Sequence, residues 1–247
     1  IAWTPGRPPT FLYATSKIVS GYVGGLPGVH AMYAGTDWTW HEPIRRNTAI
    51  EPSSHLSELI ERDTDFSGRS IQQVYTTEFR DSDGTLLAEA DSWCFRTERD
   101  TASQDKRKYE SEGVEHAEWE YADVERFAAL YREEEPRGAD PRYFQSVSVG
   151  DELDTLLKGP MTITNVIAFD QGWGGLYVEG HGRFFDMIDE HPALSVPNAQ
   201  GSPEPPEQVH WNDEFARAVG VPAAYDYGPE RVSWLAHVCH HWMGDHG

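Results

Sequence analysis

The pattern of hydrophobic and polar positions reads as extended structure from 36 to 99 and follows a helical period in several stretches after it. Trp38 and Trp40 alternate with Thr39 and His41. Ser70–Phe79 is rich in Gln, Val, Tyr and Thr. Asp81-Ser82-Asp83-Gly84 is a hairpin-turn sequence, and Leu86–Arg96 reads as the return strand. Consecutive strands joined by short turns predict an antiparallel sheet. Ahead of them, Pro8-Pro9-Thr10-Phe11-Leu12 reads as a helix start with proline in the first turn. After them, Val124, Phe127, Ala128 and Tyr131 keep helical spacing within a highly charged stretch, and Pro136 closes it. Val147–Leu153 reads as a strand. Thr162 is placed to cap a helix through Val166–Phe169, which Gly172-Trp173-Gly174-Gly175 ends. Residues 176–208 read as a long loop. A final helix runs from about Pro229 to Met243, with Val232, Leu235, Cys239 and Trp242 as its apolar stripe.

Composition narrows the class. The chain has 247 residues, 38% hydrophobic and 12% aromatic, enough for a substantial core. No stretch nears the roughly 18 uninterrupted apolar residues of a membrane span. The formal charge of −21, with only four lysines, argues against nucleic acid or an anionic membrane as partner. Arginine carries most of the positive charge, so a local arginine patch for a phosphorylated ligand such as coenzyme A stays open. Cys94 and Cys239 both sit in apolar-periodic contexts and read as buried thiols of a reducing, cytoplasmic compartment, not as a disulfide.

The candidate chemistry lies in the last forty residues. His210 follows a turn, and Tyr225-Asp226-Tyr227-Gly228 leads into the final helix. An imidazole beside a helix N-terminus offers a base and an oxyanion-stabilising dipole, which chemistry on an activated carbonyl requires. The plain alternatives are a loop histidine bonded to a backbone carbonyl and, for Asp226, a helix cap. His237 and His241 share a helix face, but Val238 stands where a zinc-protease helix carries Glu, so histidines near a helix C-terminus are the simpler reading and no metal is expected. Trp173 and Trp211 are candidates for a pocket lining or for the core. Arg69 and Arg96 read as ordinary strand-end residues.

Taken in order, the segments resemble the MaoC-like family, including its FAS1-like dehydratase domain. In the first unit the resemblance rests on Arg7-Pro8-Pro9-Thr10-Phe11-Leu12, Gly25-Leu26-Pro27-Gly28-Val29-His30, Ala34-Gly35-Thr36-Asp37-Trp38, Phe66-Ser67-Gly68-Arg69-Ser70 and Phe95-Arg96-Thr97-Glu98-Arg99. In the second it rests on Val149-Gly150-Asp151-Glu152-Leu153, Thr162–Phe169, and the segments around His210 and Gly228.

The resemblance implies an α+β double hotdog, each unit a long helix wrapped by a curved antiparallel sheet, with the second unit incomplete. The units would be residues 1–105 and 143–247, joined by a charged linker at 106–142. It further implies an acyl-thioester hydro-lyase acting without a cofactor, on acyl-CoA or a related thioester, as a homo- or heterodimer. By it, His210 would handle the water and the Gly228 N–H the thioester oxygen, with Trp173, Trp211, Asn212 and Tyr225 about the substrate. The resemblance would also let Trp173 and Trp211 line an acyl pocket and Arg69 and Arg96 face coenzyme phosphates.

Two departures qualify this. Both ends look cut, as in a fragment or one partner of a split enzyme. The family pattern D-x-N-P-x-H-x-D-x-x-x-A is met by His210, Phe215 and Ala216, with Asn212 at the second Asp. Pro205 stands five before His210, and Gly175 stands at the break after Phe169, so Asp226 becomes the candidate carboxylate. The alternatives are a non-catalytic substrate-binding partner or a hotdog thioesterase.

Overall fold

The structure is a computed structural model that describes residues 9–20, 29–64, 68–98, 117–174, 178–219 and 221–245. Its centre is one antiparallel sheet of four long strands: β1 (Val29–Trp40), β2 (Ile50–Thr64), β3 (Gly68–Asp81) and β4 (Leu86–Glu98), in the order β1-β4-β3-β2. The expected hairpin turn is present. The Asp81 carboxylate accepts from the Asp83 and Thr85 backbone N–H groups, and Gly84 has a φ of 84°, the left-handed conformation a glycine takes without strain.

The alternation on β4 explains how the sheet closes over its core. Ala88, Ala90 and Ser92, all fully buried, lie between Phe79, Thr77 and Tyr75 on β3 and Trp40, Trp38 and Thr36 on β1. Small residues on the central strand let the flanking rings approach above them, so Trp38 stacks on Phe79 with centroids 5.7 Å apart. Leu12, Tyr13 and Val19 fill the remaining space. A line of hydroxyls crosses this interior: Tyr13, Tyr33, Thr36 and Ser92 bond to one another, with Tyr33 Oη and Thr36 Oγ1 at 2.6 Å.

The expected helix near residue 11 is, over the described residues, two short 3₁₀ helices, Pro9–Ala14 and Lys17–Ser20. Thr15 stops the first by donating its hydroxyl back to the Leu12 carbonyl. Beyond the sheet come α1 (Tyr121–Glu133), α2 (Ile163–Trp173), α3 (His181–Glu190), α4 (Asp213–Ala218) and α5 (Gly228–Met243). The expected cap is present, since Thr162 accepts from the Asn165 N–H, and Gly174 ends α2 at a φ of 100°. The predicted loop at 176–208 instead contains α3 and a two-residue hairpin, β5 (Val196–Pro197) with β6 (Pro203–Glu204).

The predicted strand at Val147–Leu153 does not form. It has no paired neighbour among the described residues, and Val149 is fully exposed. The α+β class and the first sheet thus stand, while the described residues after 117 hold only the small hairpin, not a second sheet. The long helix α5 lies against β1 and the first 3₁₀ helix. Its stripe is reassigned accordingly. Val232 packs on the core, Leu235 is 64% exposed and Cys239 is exposed, while Cys94 is buried. No helix among the described residues is long and apolar enough to cross a membrane.

Candidate active site

His210 ends a short 3₁₀ helix, Pro206–His210, and Asn212 starts α4 by accepting from the Phe215 N–H. This places the imidazole on the wall of a cleft of about 760 Å³. Met161, Ile163 and Val166 form an apolar side, and Asn198, Gln200 and Glu204 of the β5–β6 hairpin form a polar one. Trp211, Asn212 and Arg217 also line it.

His210 Nδ1 lies 2.8 Å from the Tyr225 carbonyl oxygen. A carbonyl only accepts, so Nδ1 carries the proton and Nε2 keeps its lone pair. The ring packs against Tyr227 at 3.9 Å and the edge of Tyr225 at 4.7 Å between centroids. Loss of solvent pushes its pKa down to about 4, against the opposing pull of the Tyr225 carbonyl and the Asp226 charge. His210 is therefore a neutral imidazole near pH 7. It fits both readings offered by the sequence: it does bond a backbone carbonyl, and that bond fixes the tautomer a base needs.

Asp226 is buried and engaged elsewhere. Its carboxylate grips the Arg231 guanidinium with both oxygens, Oδ2 at 3.0 Å from Nε and Oδ1 against Nη2. It acts on His210 through its charge, while the ring's Nδ1 bonds the Tyr225 carbonyl. Nor does it cap α5, whose N-cap is Tyr227.

Gly228 opens α5 with Pro229 behind it, and a Cβ at this position would fall 2.0 Å from Tyr33 Cδ1. Gly228 and Tyr225 do not line the cleft, and Trp173 belongs to the core, where its Nε1 donates to the Tyr13 carbonyl at 2.7 Å. Arg96 is likewise drawn inward, donating to Gln73 Oε1 at 2.7 Å, and Arg69 pairs with Glu61. Gly175 and the Arg7 and Gly25–Gly28 segments lie outside the described residues.

Sequence reasoning missed a set of buried acids. Asp170, Glu207 and Glu230 are at most 6% exposed and surround the Tyr227 phenol, whose pKa rises through burial and their charges. Glu230 itself rises to about 7, first through burial and then through Asp226. Asp170 left a signal: with Val166 and Trp173 it occupies one face of α2, a buried stripe with a carboxylate in it. Glu207 and Glu230 left none, because acidic residues are usually solvated.

Compared with known proteins, no family model and no curated protein matches the sequence. A solved MaoC-like dehydratase superposes over 96% of this chain and 63% of its own, with a TM-score of 0.54 and 16% identity. The chain has the fold of a MaoC-like dehydratase. It spans about 63% of that protein's length. Shorter overlaps occur with the ChsH1-ChsH2 complex from Mycobacterium tuberculosis (29% of this chain and 38% of that one, TM-score 0.25, 17% identity). A DHNA-CoA thioesterase from Staphylococcus aureus overlaps 43% of this chain and 61% of its own, with a TM-score of 0.23 and 11% identity. These two overlaps are too loose to carry an argument.

Proposed function

We propose that this chain serves an acyl-thioester hydro-lyase, adding water reversibly to a conjugated thioester, with His210 as the base. The observation that carries this reading is the fixed tautomer of His210: a neutral imidazole whose Nδ1 is held by the Tyr225 carbonyl, on the wall of a cleft large enough for an acyl chain. In the forward direction Nε2 takes a proton from water, the water oxygen adds to the β-carbon, and the thioester oxygen gathers charge. Gly228, at the positive end of α5, does not line this cleft, so its N–H is not the donor to that oxygen in this reading. The proton taken up at Nε2 is then delivered to the α-carbon, which completes the addition. Asp226, held by Arg231, acts in this reading on His210 through its charge rather than as the acid.

Hydration of crotonyl-CoA by wild type and His210→Ala tests the assignment. The expected loss is about 10²–10⁴-fold with the fold intact; an unchanged rate sinks it. Release of free CoA without hydration would point to thioester hydrolysis instead. One observation favours a second reading, a substrate-binding partner whose carboxylate comes from another polypeptide: both Asp226 oxygens are committed to Arg231. No activity alone, with activity restored by such a partner, would support it.

A further inference from the structure

A second, smaller cavity of about 120 Å³ lies beside the cleft and shares Met161 with it. Tyr131 of α1, Lys158 and Gly159 of the connecting segment, Asn165 of α2, and Glu230 and Trp234 of α5 line it. Lys158 is one of four lysines in a chain of net charge −21, so an ammonium here is not a product of general basicity. Its Nζ lies 2.6 Å from His237 Nδ1, and His237 Nε2 lies 3.5 Å from Glu134 Oε1.

An ammonium can only donate, so His237 Nδ1 accepts and Nε2–H faces the Glu134 carboxylate. Amine, imidazole and carboxylate thus stand in the order of a nucleophile, its base and the group that orients the base. Besides Lys158 and Glu134, His240 and His241 act on His237. Burial and Lys158 pull its pKa down, keeping it an acceptor at neutral pH. Across the same cavity Glu230 is 4% exposed, and its Oε2 has no hydrogen-bond partner among the described residues. In its protonated form it can donate to a carbonyl oxygen bound there.

We propose that Lys158 is an activated amine that accepts a short acyl group from a thioester, with His237 as base, Glu134 orienting it and Glu230 facing the carbonyl oxygen. The ammonium first gives one proton to His237 Nδ1, which releases it to solvent. The freed Nζ lone pair forms a C–N bond to the acyl carbon, and the C–S bond breaks. A second proton leaves nitrogen through His237 Nδ1 to the departing thiolate. The products are an amide on Lys158, a free thiol and one proton in solvent, so no oxidant or further reactant is needed. The cavity has room for only a few heavy atoms, which restricts the group to a short acyl chain.

The reaction is independent of the hydration chemistry at His210, and the test keeps them apart. The intact protein is treated with limiting S-acetyl-N-acetylcysteamine, and acetylation at Lys17, Lys106, Lys108 and Lys158 is followed by peptide mass spectrometry. Lys158 is expected to react roughly tenfold or more faster than the others, a general-base effect. His237→Gln, and Glu134→Gln to a lesser degree, slow it toward the common rate, while His210→Ala leaves it unchanged. Thermal melts show which variants stay folded; Glu134→Gln serves if His237→Gln does not. Lys158 reacting no faster than the other lysines, or unchanged in folded His237→Gln or Glu134→Gln, overturns the proposal.

Discussion

The sheet and the helical region after residue 117 handle polar groups in opposite ways. In the sheet, the hydroxyls of Tyr13, Tyr33, Thr36 and Ser92 bond to one another between stacked rings, and the buried Arg96 guanidinium donates to Gln73. The helical region buries carboxyls: Asp170, Asp226, Glu207 and Glu230 lie below the surface, and Glu230 Oε2 has no hydrogen-bond partner among the described residues. A satisfied hydroxyl network costs little to bury, whereas a buried carboxyl holds free energy that protons can release. The sheet therefore supplies rigidity, and the helical region holds the groups whose charge can change.

The contrast can be broken hardest in the sheet. Phe79→Ala, which empties a fully buried ring site against Trp38, is expected to cost about 3–5 kcal/mol in urea denaturation. A loss below about 1 kcal/mol would mean that the sheet is not the stable half.

The next effect is electrostatic and confined to the helical region. His210 has its folded pKa lowered from 6.5 to about 4, so the unfolded chain binds more protons between those values and stability rises with pH there. Glu230 is raised from 4.5 to about 7, so the folded chain binds more protons and stability falls with pH between those values. The two slopes oppose each other over the shared range, leaving the wild type flatter than either group alone. Glu230→Gln unmasks the rise contributed by His210, and His210→Gln unmasks the fall contributed by Glu230, each up to about 3 kcal/mol. Urea melts across pH 4.5–6.5 check this; parallel curves for both variants would refute it.

Smallest is Thr162→Ala, which removes the α2 cap and is expected to cost about 1 kcal/mol by the same denaturation measurement.

What the sequence revealed follows the same division. The Ala88-Ala90-Ser92 alternation and the Asp81–Gly84 turn encode the sheet locally, because register and turn chemistry act over neighbouring residues. Helix α1, the Thr162 cap and the start of α5 were legible for similar reasons. His210 was legible as a candidate, but its role is decided by the Tyr225 carbonyl, fifteen residues away. Asp226 shows the limit: its partner Arg231 lies only five residues on, yet spacing alone did not tell an ion pair from a catalytic acid. The strand expected at Val147–Leu153 failed because alternation proposes a strand and only a neighbour makes one.

The contact between Gly228 and Tyr33 joins the two regions, and it changes how the start of α5 can be probed. The Tyr33 ring occupies the space into which a side chain at 228 would project, so the sheet works as a template against which the helix backbone is seated. A bulkier residue at 228 would move the whole helix along that template before it altered any single N–H. The informative substitution is therefore on the sheet side: trimming Tyr33 leaves the helix backbone chemically intact and reads out how firmly it is seated.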